Sequence, residues 1–153
     1  NLLNRLPEVE ILPACGFHGL GVAPYSPIAR GVLTGKYKPG DEPPPDSRAA
    51  RADRRFMQTE WRPESLVIAQ KLEWHARAKG FSLVQFATAW VLANRFVTNV
   101  ITGPKSLAQF EPYFGALDYP WGEEDDEIVD SLVPKGYPST PGYHDPAYPF
   151  VGR

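Results

Sequence analysis

Two stretches hold residue types that could do chemistry. The first, residues 21–37, reads GVAPYSPIARGVLTGKY. Its short apolar run, Val22 and Ala23, stops on Pro24 and gives way to Tyr25, Ser26, Pro27, Gly31, Thr34, Gly35 and Lys36. A strand ending abruptly in a loop rich in Pro and Gly exposes backbone N–H groups at its carboxyl end, where ligands bind in α/β proteins. An ordinary strand-to-helix connection fits this composition equally well. The second stretch, residues 97–109, reads VTNVITGPKSLAQ. A strand VTNVIT ends in Gly103-Pro104-Lys105, and Ser106 with Gln109 forms a capping-box pattern at the next helix start. Free N–H donors, a positive dipole end and an adjacent lysine suit a phosphate group.

The elements that must position these stretches follow in order. Pro7 is placed to open a helix, with Glu8 and Glu10 in its first turn and Val9, Ile11, Leu12 and Phe17 as its apolar side. Residues 22–26 and 97–102 read as the two strands. Residues 38–63 are polar, contain three consecutive prolines and carry five arginines from Arg48 to Arg62. Such a segment reads as a long loop, solvated for most of those arginines, of the kind that serves as a lid or binding loop. Residues 64–79 form an amphipathic helix stopped by Gly80. Ser82 and Gln85 cap a second helix with Leu83, Phe86, Ala87, Trp90 and Val91 on its core face. Pro112 must distort or end the helix that Ser106 begins.

A last helix spans 121–133. Its acids Glu123, Glu124, Asp125 and Asp126 complement the helix dipole and face solvent, because successive positions point around the axis and cannot converge on a metal. His75 has no second histidine or cysteine at ligand spacing and reads as a surface or packing residue. From Pro134 the chain is rich in Pro and Tyr and excludes regular structure; its aromatics argue that it packs on something.

The chain has 153 residues, a net charge of -2 and one cysteine, Cys15. This charge gives no reason to expect nucleic acid, and no apolar run is long enough to span a bilayer. An unpaired cysteine favours a reducing compartment or no redox constraint at all, and a cytoplasmic setting is the expectation. The start Asn-Leu-Leu-Asn-Arg, without a Met, reads as the middle of a longer protein.

YSPIARGVLTGKY and VITGPKSLAQF, in that order and with SRAA and QFATAWVL between them, resemble the C-terminal half of an aldo-keto reductase. The likeness is to the branch with bacterial reductases and potassium-channel beta subunits, and it runs from NLLNR to the tail. It implies an α/β fold, the C-terminal portion of a (β/α)8 TIM barrel, with residues 1–133 as one incomplete domain and 134–153 as a tail. It also implies NADPH as cofactor and hydride transfer to a small aldehyde or ketone. Tyr25 would stack on the nicotinamide, and Ser26, Pro27, Ile28, Ala29 and Arg30 would cover the pyrophosphate. Lys36 and Arg48 would reach the cofactor phosphates. Gly103, Lys105 and Gln109 would form the adenosine-phosphate site, with Lys105 on the 2′-phosphate. Pro112 and Tyr113 depart from the acidic or amide residues that the family commonly sets against adenine.

The family's catalytic Asp, Tyr, Lys and His would precede this chain. The expectation is therefore a cofactor-binding half, inactive alone, that needs the missing N-terminal half of the barrel. An NADPH-binding regulatory or non-catalytic subunit is the alternative. Unpaired strand edges would make the isolated chain aggregation-prone or homo-oligomeric. The tail 137–150 is expected to add apolar contacts to the pocket.

Overall fold

A pair of helices carries the core. In the computed structural model, which describes residues 1–149, 151 and 152, α3 runs Pro63–Ala78 and α4 runs Leu83–Ala93. Pro63 sits in the first turn of α3, where its missing N–H costs nothing, with Glu64 beside it. Leu66, Ala69, Leu72 and Ala76 recur at helical spacing and are buried. Ser82 starts α4 as the capping box requires: its Oγ accepts from Gln85 N–H at 3.3 Å, and Gln85 Oε1 accepts from Ser82 N–H at 2.8 Å. Phe86 and Ala87 on α4 meet Leu72, Leu33 and Val32 in one apolar cluster with Leu2, Leu3, Val129 and Val133. None of the helices among the described residues is long and apolar enough to cross a membrane.

The two expected strands lie side by side and parallel, but reduce to isolated bridges, Val22 with Val97 and Tyr25 with Ile101. Thr98 N–H donates to the Val22 carbonyl at 2.9 Å, and Ile101 N–H to the Pro24 carbonyl at 2.9 Å. Between the bridges one side advances three residues and the other four (22 to 25 against 97 to 101). That extra residue, and the N–H that Pro24 lacks, stop a continuous ladder.

Other elements depart from the sequence reading. The first helix divides into a 3-10 turn, Leu6–Glu8, and α1, Ile11–Phe17, with Pro13 in the first turn of α1, where its missing N–H is tolerated. Its apolar side faces outward: Val9 and Ile11 are exposed and Phe17 is 87% exposed. The polar segment 38–63 is no open loop. Asp53 accepts from Phe56 N–H at 2.8 Å and caps α2, Arg54–Thr59, which drives Phe56 against Tyr37 and Trp61. The helix from Ser106 is α5, Leu107–Phe114, which continues two residues past Pro112 before ending. The last helix, α6, is Glu123–Leu132.

The described residues of the tail form no helix or strand, yet they are pinned. Asn4 and Pro138 form an antiparallel bridge, and Ser139 N–H donates to the Leu3 carbonyl at 2.9 Å. Arg5, buried, donates to Glu8 at 2.9 Å, Asp130 at 2.8 Å and the Val133 carbonyl at 2.7 Å. Further along, Ser139 Oγ lies 2.9 Å from Ser65 Oγ, Arg55 pairs with Asp145, and the Arg62 guanidinium lies 4.0 Å over the Tyr143 ring. The tail therefore packs on α2 and α3. None of its described residues lines the cationic cleft described below, and Phe150 lies outside them.

Gly35 closes the loop before Tyr37 with φ of +78°, and a Cβ there would come within 2.7 Å of the Glu73 carboxyl carbon. Glu73 is buried and held by Lys38 and, at 2.7 Å, by Arg77, so it has little room to move. Gly35→Ala is expected to cost about 1–3 kcal/mol from left-handed strain plus this clash. Urea unfolding checks it, and an unchanged midpoint would show that the Glu73 side chain yields freely.

Candidate functional site

The parallel pairing brings both chemistry-bearing stretches to the same end of the bridged segments. Between them lies a cleft of about 650 Å³. Its first wall is an unusually shaped turn. Ser26, Ala29 and Arg30 have φ of 56°, 46° and 51°, and Gly31 follows at 109°. Three non-glycine residues in the left-handed region are costly and persist only when the surroundings hold them. Here Ala29 N–H donates to the Ser26 carbonyl at 3.0 Å and Gly31 N–H to the Ile28 carbonyl at 2.9 Å. Thr34 Oγ1 donates to the Gly31 carbonyl at 2.8 Å, while Val32 and Leu33 anchor the turn in the core.

The second wall is the turn 103–105 and the start of α5. Ser106 Oγ accepts from Gln109 N–H at 3.3 Å, and Gln109 Oε1 accepts from Lys105 N–H at 2.9 Å. The third wall comes from residues 46–51. Ser47 is buried; its Oγ accepts from Ala50 N–H at 3.2 Å and its carbonyl from Arg51 N–H at 3.1 Å. That turn delivers Arg48 and Arg51 to the cleft.

The cleft is electrostatically one-sided. Arg30, Lys36, Arg48, Arg51 and Lys105 line it against a single carboxylate, Asp46. Arg30 has a distant partner in Glu60 at 3.8 Å, and Arg48 pairs with Asp53 at 3.3 Å. Among the described residues no carboxylate lies within 4.0 Å of the Lys36, Arg51 or Lys105 side-chain nitrogens, and the Lys36 ammonium sits 5.0 Å over the Tyr37 ring. Cations gathered in a concave site without counter-charge select an anion with several negative groups.

Of the residues singled out from sequence, Tyr25, Ser26, Pro27, Ile28, Arg30 and Lys36 line this cleft, as do Arg48, Gly103, Lys105 and Gln109. Ala29 does not. It is fully buried in the core, at φ of 46° within the turn. Thr34, named in the first stretch without an assigned role, also lines the cleft, and the sequence reading missed Ser47, Arg51 and Thr102, together with Val84 and Ala108. Arg51, three residues after Arg48 in RAAR, carried a signal; only the Ser47 turn decides which arginines of the cluster face inward.

A second polar centre overturns the reading of one of the acids at 123–126, while Glu123, Glu124 and Asp126 are exposed as expected. Asp125 is fully buried, not solvated. It accepts from Lys79 Nζ at 2.8 Å, Tyr119 Oη at 2.8 Å and Gly122 N–H at 2.9 Å, and its Oδ1 lies 2.6 Å from His75 Nε2. His75 thus has a specific partner. Burial alone would raise the Asp125 carboxyl, but hydrogen bonds from Lys79, His75, Gly122 and Tyr119 outweigh it and hold the group below its ordinary 3.8. Burial, reinforced by Asp125, pushes the Tyr119 phenol up. None of these four side chains lines the cleft, and together they tie α6 to α3.

Parallel bridged segments joined through helices, with a cationic cleft at their carboxyl ends, define an α/β arrangement. The family model of the aldo/keto reductase family matches residues 1–134, and the chain belongs to that family. It is 36% identical over 119 residues to a probable voltage-gated potassium channel subunit beta of Oryza sativa subsp. japonica, covering 77% of this chain and 36% of the relative. It is 34% identical over 125 residues to the L-glyceraldehyde 3-phosphate reductase of Escherichia coli O157:H7, covering 77% and 35%. The structure resembles a glycerol dehydrogenase of Gluconobacter oxydans with a TM-score of 0.69 and 26% identity, covering 94% of this chain and 44% of the other. The chain thus spans little more than a third of the length of the curated relatives it matches.

Proposed function

We propose that this chain is the cofactor-binding portion of an NADPH-dependent oxidoreductase of the aldo/keto reductase type, one that reduces an aldehyde or ketone. The observation that carries the reading is the cleft itself: five cationic side chains against one carboxylate, three of the five without an acidic partner among the described residues. A dinucleotide with a pyrophosphate and a further phosphate matches that surplus. When bound, NADPH supplies the hydride; the chain's own work is binding, orientation and electrostatics. Tyr25, 69% exposed at the mouth, offers a flat face to the nicotinamide. The turn 26–31 covers the pyrophosphate, and Lys36 and Arg48 reach its oxygens. Gly103, Lys105 and Gln109 take the adenosine phosphate. The proton for the reduced oxygen comes from side chains beyond this cleft, in keeping with a portion of a (β/α)8 barrel in which 1–133 is barrel and 134–153 tail.

Fluorescence titration tests the reading. Saturable binding of NADPH, tighter than that of NADH, is the expected result in the longest natural form of the protein that carries this chain. No binding of either dinucleotide would remove the cofactor assignment. A second reading, an NADPH-binding regulatory or non-catalytic subunit, draws support from the relative named as a potassium channel subunit beta. Binding without NADPH oxidation across a panel of aldehydes and ketones would favour it.

A further inference from the structure

The six-residue helix α2 holds a cleft arginine at each of its ends. Its N-cap, Asp53, accepts from Phe56 N–H at 2.8 Å through Oδ1 and pairs with Arg48 at 3.3 Å through Oδ2. Its C-cap, Glu60, lies 3.8 Å from Arg30. Arg48 and Arg30 belong to two different walls of the cleft. The segment that leads into α2 is strained, with Asp46 and Ala52 at φ of 61° and 49°. Such a turn persists only while its surroundings hold it. Its exit is tied to Arg48, whose carbonyl accepts from Asp53 N–H at 2.9 Å. The placement of both arginines therefore depends on the placement of α2.

A helix this short does not hold itself. Phe56 seats α2 in the core against Tyr37 and Trp61, but a single ring leaves rotation about it open. The second hold comes from the tail. Arg55 donates to both carboxylate oxygens of Asp145, through Nη1 at 2.7 Å and through Nη2. This fork fixes orientation as well as adding energy. Asp145 is itself set in place, since Ala147 N–H donates to its Oδ1 at 2.9 Å. The bonds from Arg55 hold its carboxyl below the ordinary 3.8, with the Ala147 N–H and the more distant Arg30 acting in the same sense. At the far end of α2, Arg62 donates to the Thr59 carbonyl and, at 2.9 Å, to Thr140 Oγ1 of the tail.

We propose that Asp145 is a positioning residue for dinucleotide binding: through Arg55 it fixes α2, and through the caps of α2 it sets Arg48 and Arg30 in the cleft. The tail thus acts on the cleft from behind, with none of its described residues lining it. The inference rests on the cofactor reading above and adds what holds the site's cations in place. Without the clamp α2 samples other orientations, and apparent affinity falls by the fraction of molecules that keep the arginines in place. The sign is diagnostic. Acting through space alone, a carboxylate near an anion site repels the ligand, and its removal would tighten binding. A clamp predicts the opposite.

The test is a fluorescence titration with NADPH on the longest natural form of the protein that carries this chain. Asp145→Ala is expected to weaken binding about 3- to 10-fold. Its circular dichroism and melting midpoint should stay near those of the parent, because a pair with side chains 32% and 27% exposed adds little to global stability. In an Arg48→Ala background the same change should cost about twofold or less, since the more closely held arginine is gone. Asp145→Asn keeps an acceptor for Ala147 N–H and serves where alanine unsettles the tail; it should weaken binding about threefold. Unchanged or tightened binding in both variants, or a full loss repeated in the Arg48→Ala background, would overturn the proposal and leave the cofactor reading standing. Failure of the parent protein to bind NADPH would overturn the two together.

Discussion

Replacing Asp125 with alanine is expected to destabilise the protein by about 3–5 kcal/mol, the cost of removing one partner from a buried, hydrogen-bonded charge pair. The magnitude follows from what is left behind. Lys79 would lose its buried carboxylate and keep only the exposed Glu124 at 2.7 Å. Tyr119 Oη, buried, would lose its acceptor, and the Gly122 N–H at the entry to α6 would lose its cap. Because His75 and Lys79 come from α3 and its end, the loss also unfastens α6 from α3. Thermal or urea unfolding measures the effect, and a loss below about 1 kcal/mol would show that water replaces the carboxylate at little cost.

The same network sets a pH signature. The Asp125 carboxyl is lower in the folded protein than its ordinary 3.8. Its stabilisation is therefore fully present above that value and is lost as pH falls through the lower folded value. Lys79 behaves in the opposite sense. Burial would lower it, yet its bonds to Asp125 and Glu124 prevail and raise it above its ordinary 10.5. Its stabilisation is present below 10.5 and is lost as pH rises through the higher folded value. Asp125→Asn should flatten the acid limb of the stability profile while keeping an acceptor for Tyr119. An unchanged acid limb would assign that slope to other carboxylates, such as Asp130, which burial raises but Arg5 and Lys135 lower on balance.

Lys105→Ala is the second large effect, and it falls on binding. NADPH affinity is expected to drop by about 10- to 100-fold, the worth of a charge-assisted hydrogen bond to phosphate, while NADH affinity stays within about twofold. The variant is clean because the Lys105 contribution to α5 capping is made by its backbone N–H on Gln109 Oε1, which alanine retains. Its ammonium has no acidic partner within 4.0 Å among the described residues, so nothing in the protein is orphaned by its removal. Lys105→Arg should restore most of the preference. Equal weakening of both dinucleotides would move Lys105 from the 2′-phosphate to the pyrophosphate, and no change in either would remove it from the site. Raising salt should narrow the gap, since the lysine is exposed and screened.

Much of this molecule was legible in its residues because the causes were local. The helical spacing of Leu66, Leu72 and Ala76 announces α3 and Ser82 with Gln85 caps α4, and both helices are found there. The breaks at Pro24 and at Gly103-Pro104 mark where two parallel segments end, and the cleft forms at those ends. Capping, proline's missing N–H and helical spacing act over a few residues, so a linear reading captures them. Of the eleven residues that the family resemblance singled out, ten line one cleft.

Tertiary structure decided the rest. The local mark of Asp125 is its place three residues into α6, from which it caps the Gly122 N–H; its burial against His75 and Lys79 comes from α3, some 46 to 50 positions away in sequence. The same holds for Ala29, which the loop rotates into the core, and for the tail, whose docking on α2 and α3 depends on Arg55 and Arg62 finding Asp145 and Tyr143. Phe56 needed Tyr37 and Trp61 before a polar segment could close into α2. Burial and ion pairing are properties of what lies across space, and a charge or an aromatic ring acquires its role only when the fold supplies the other partner.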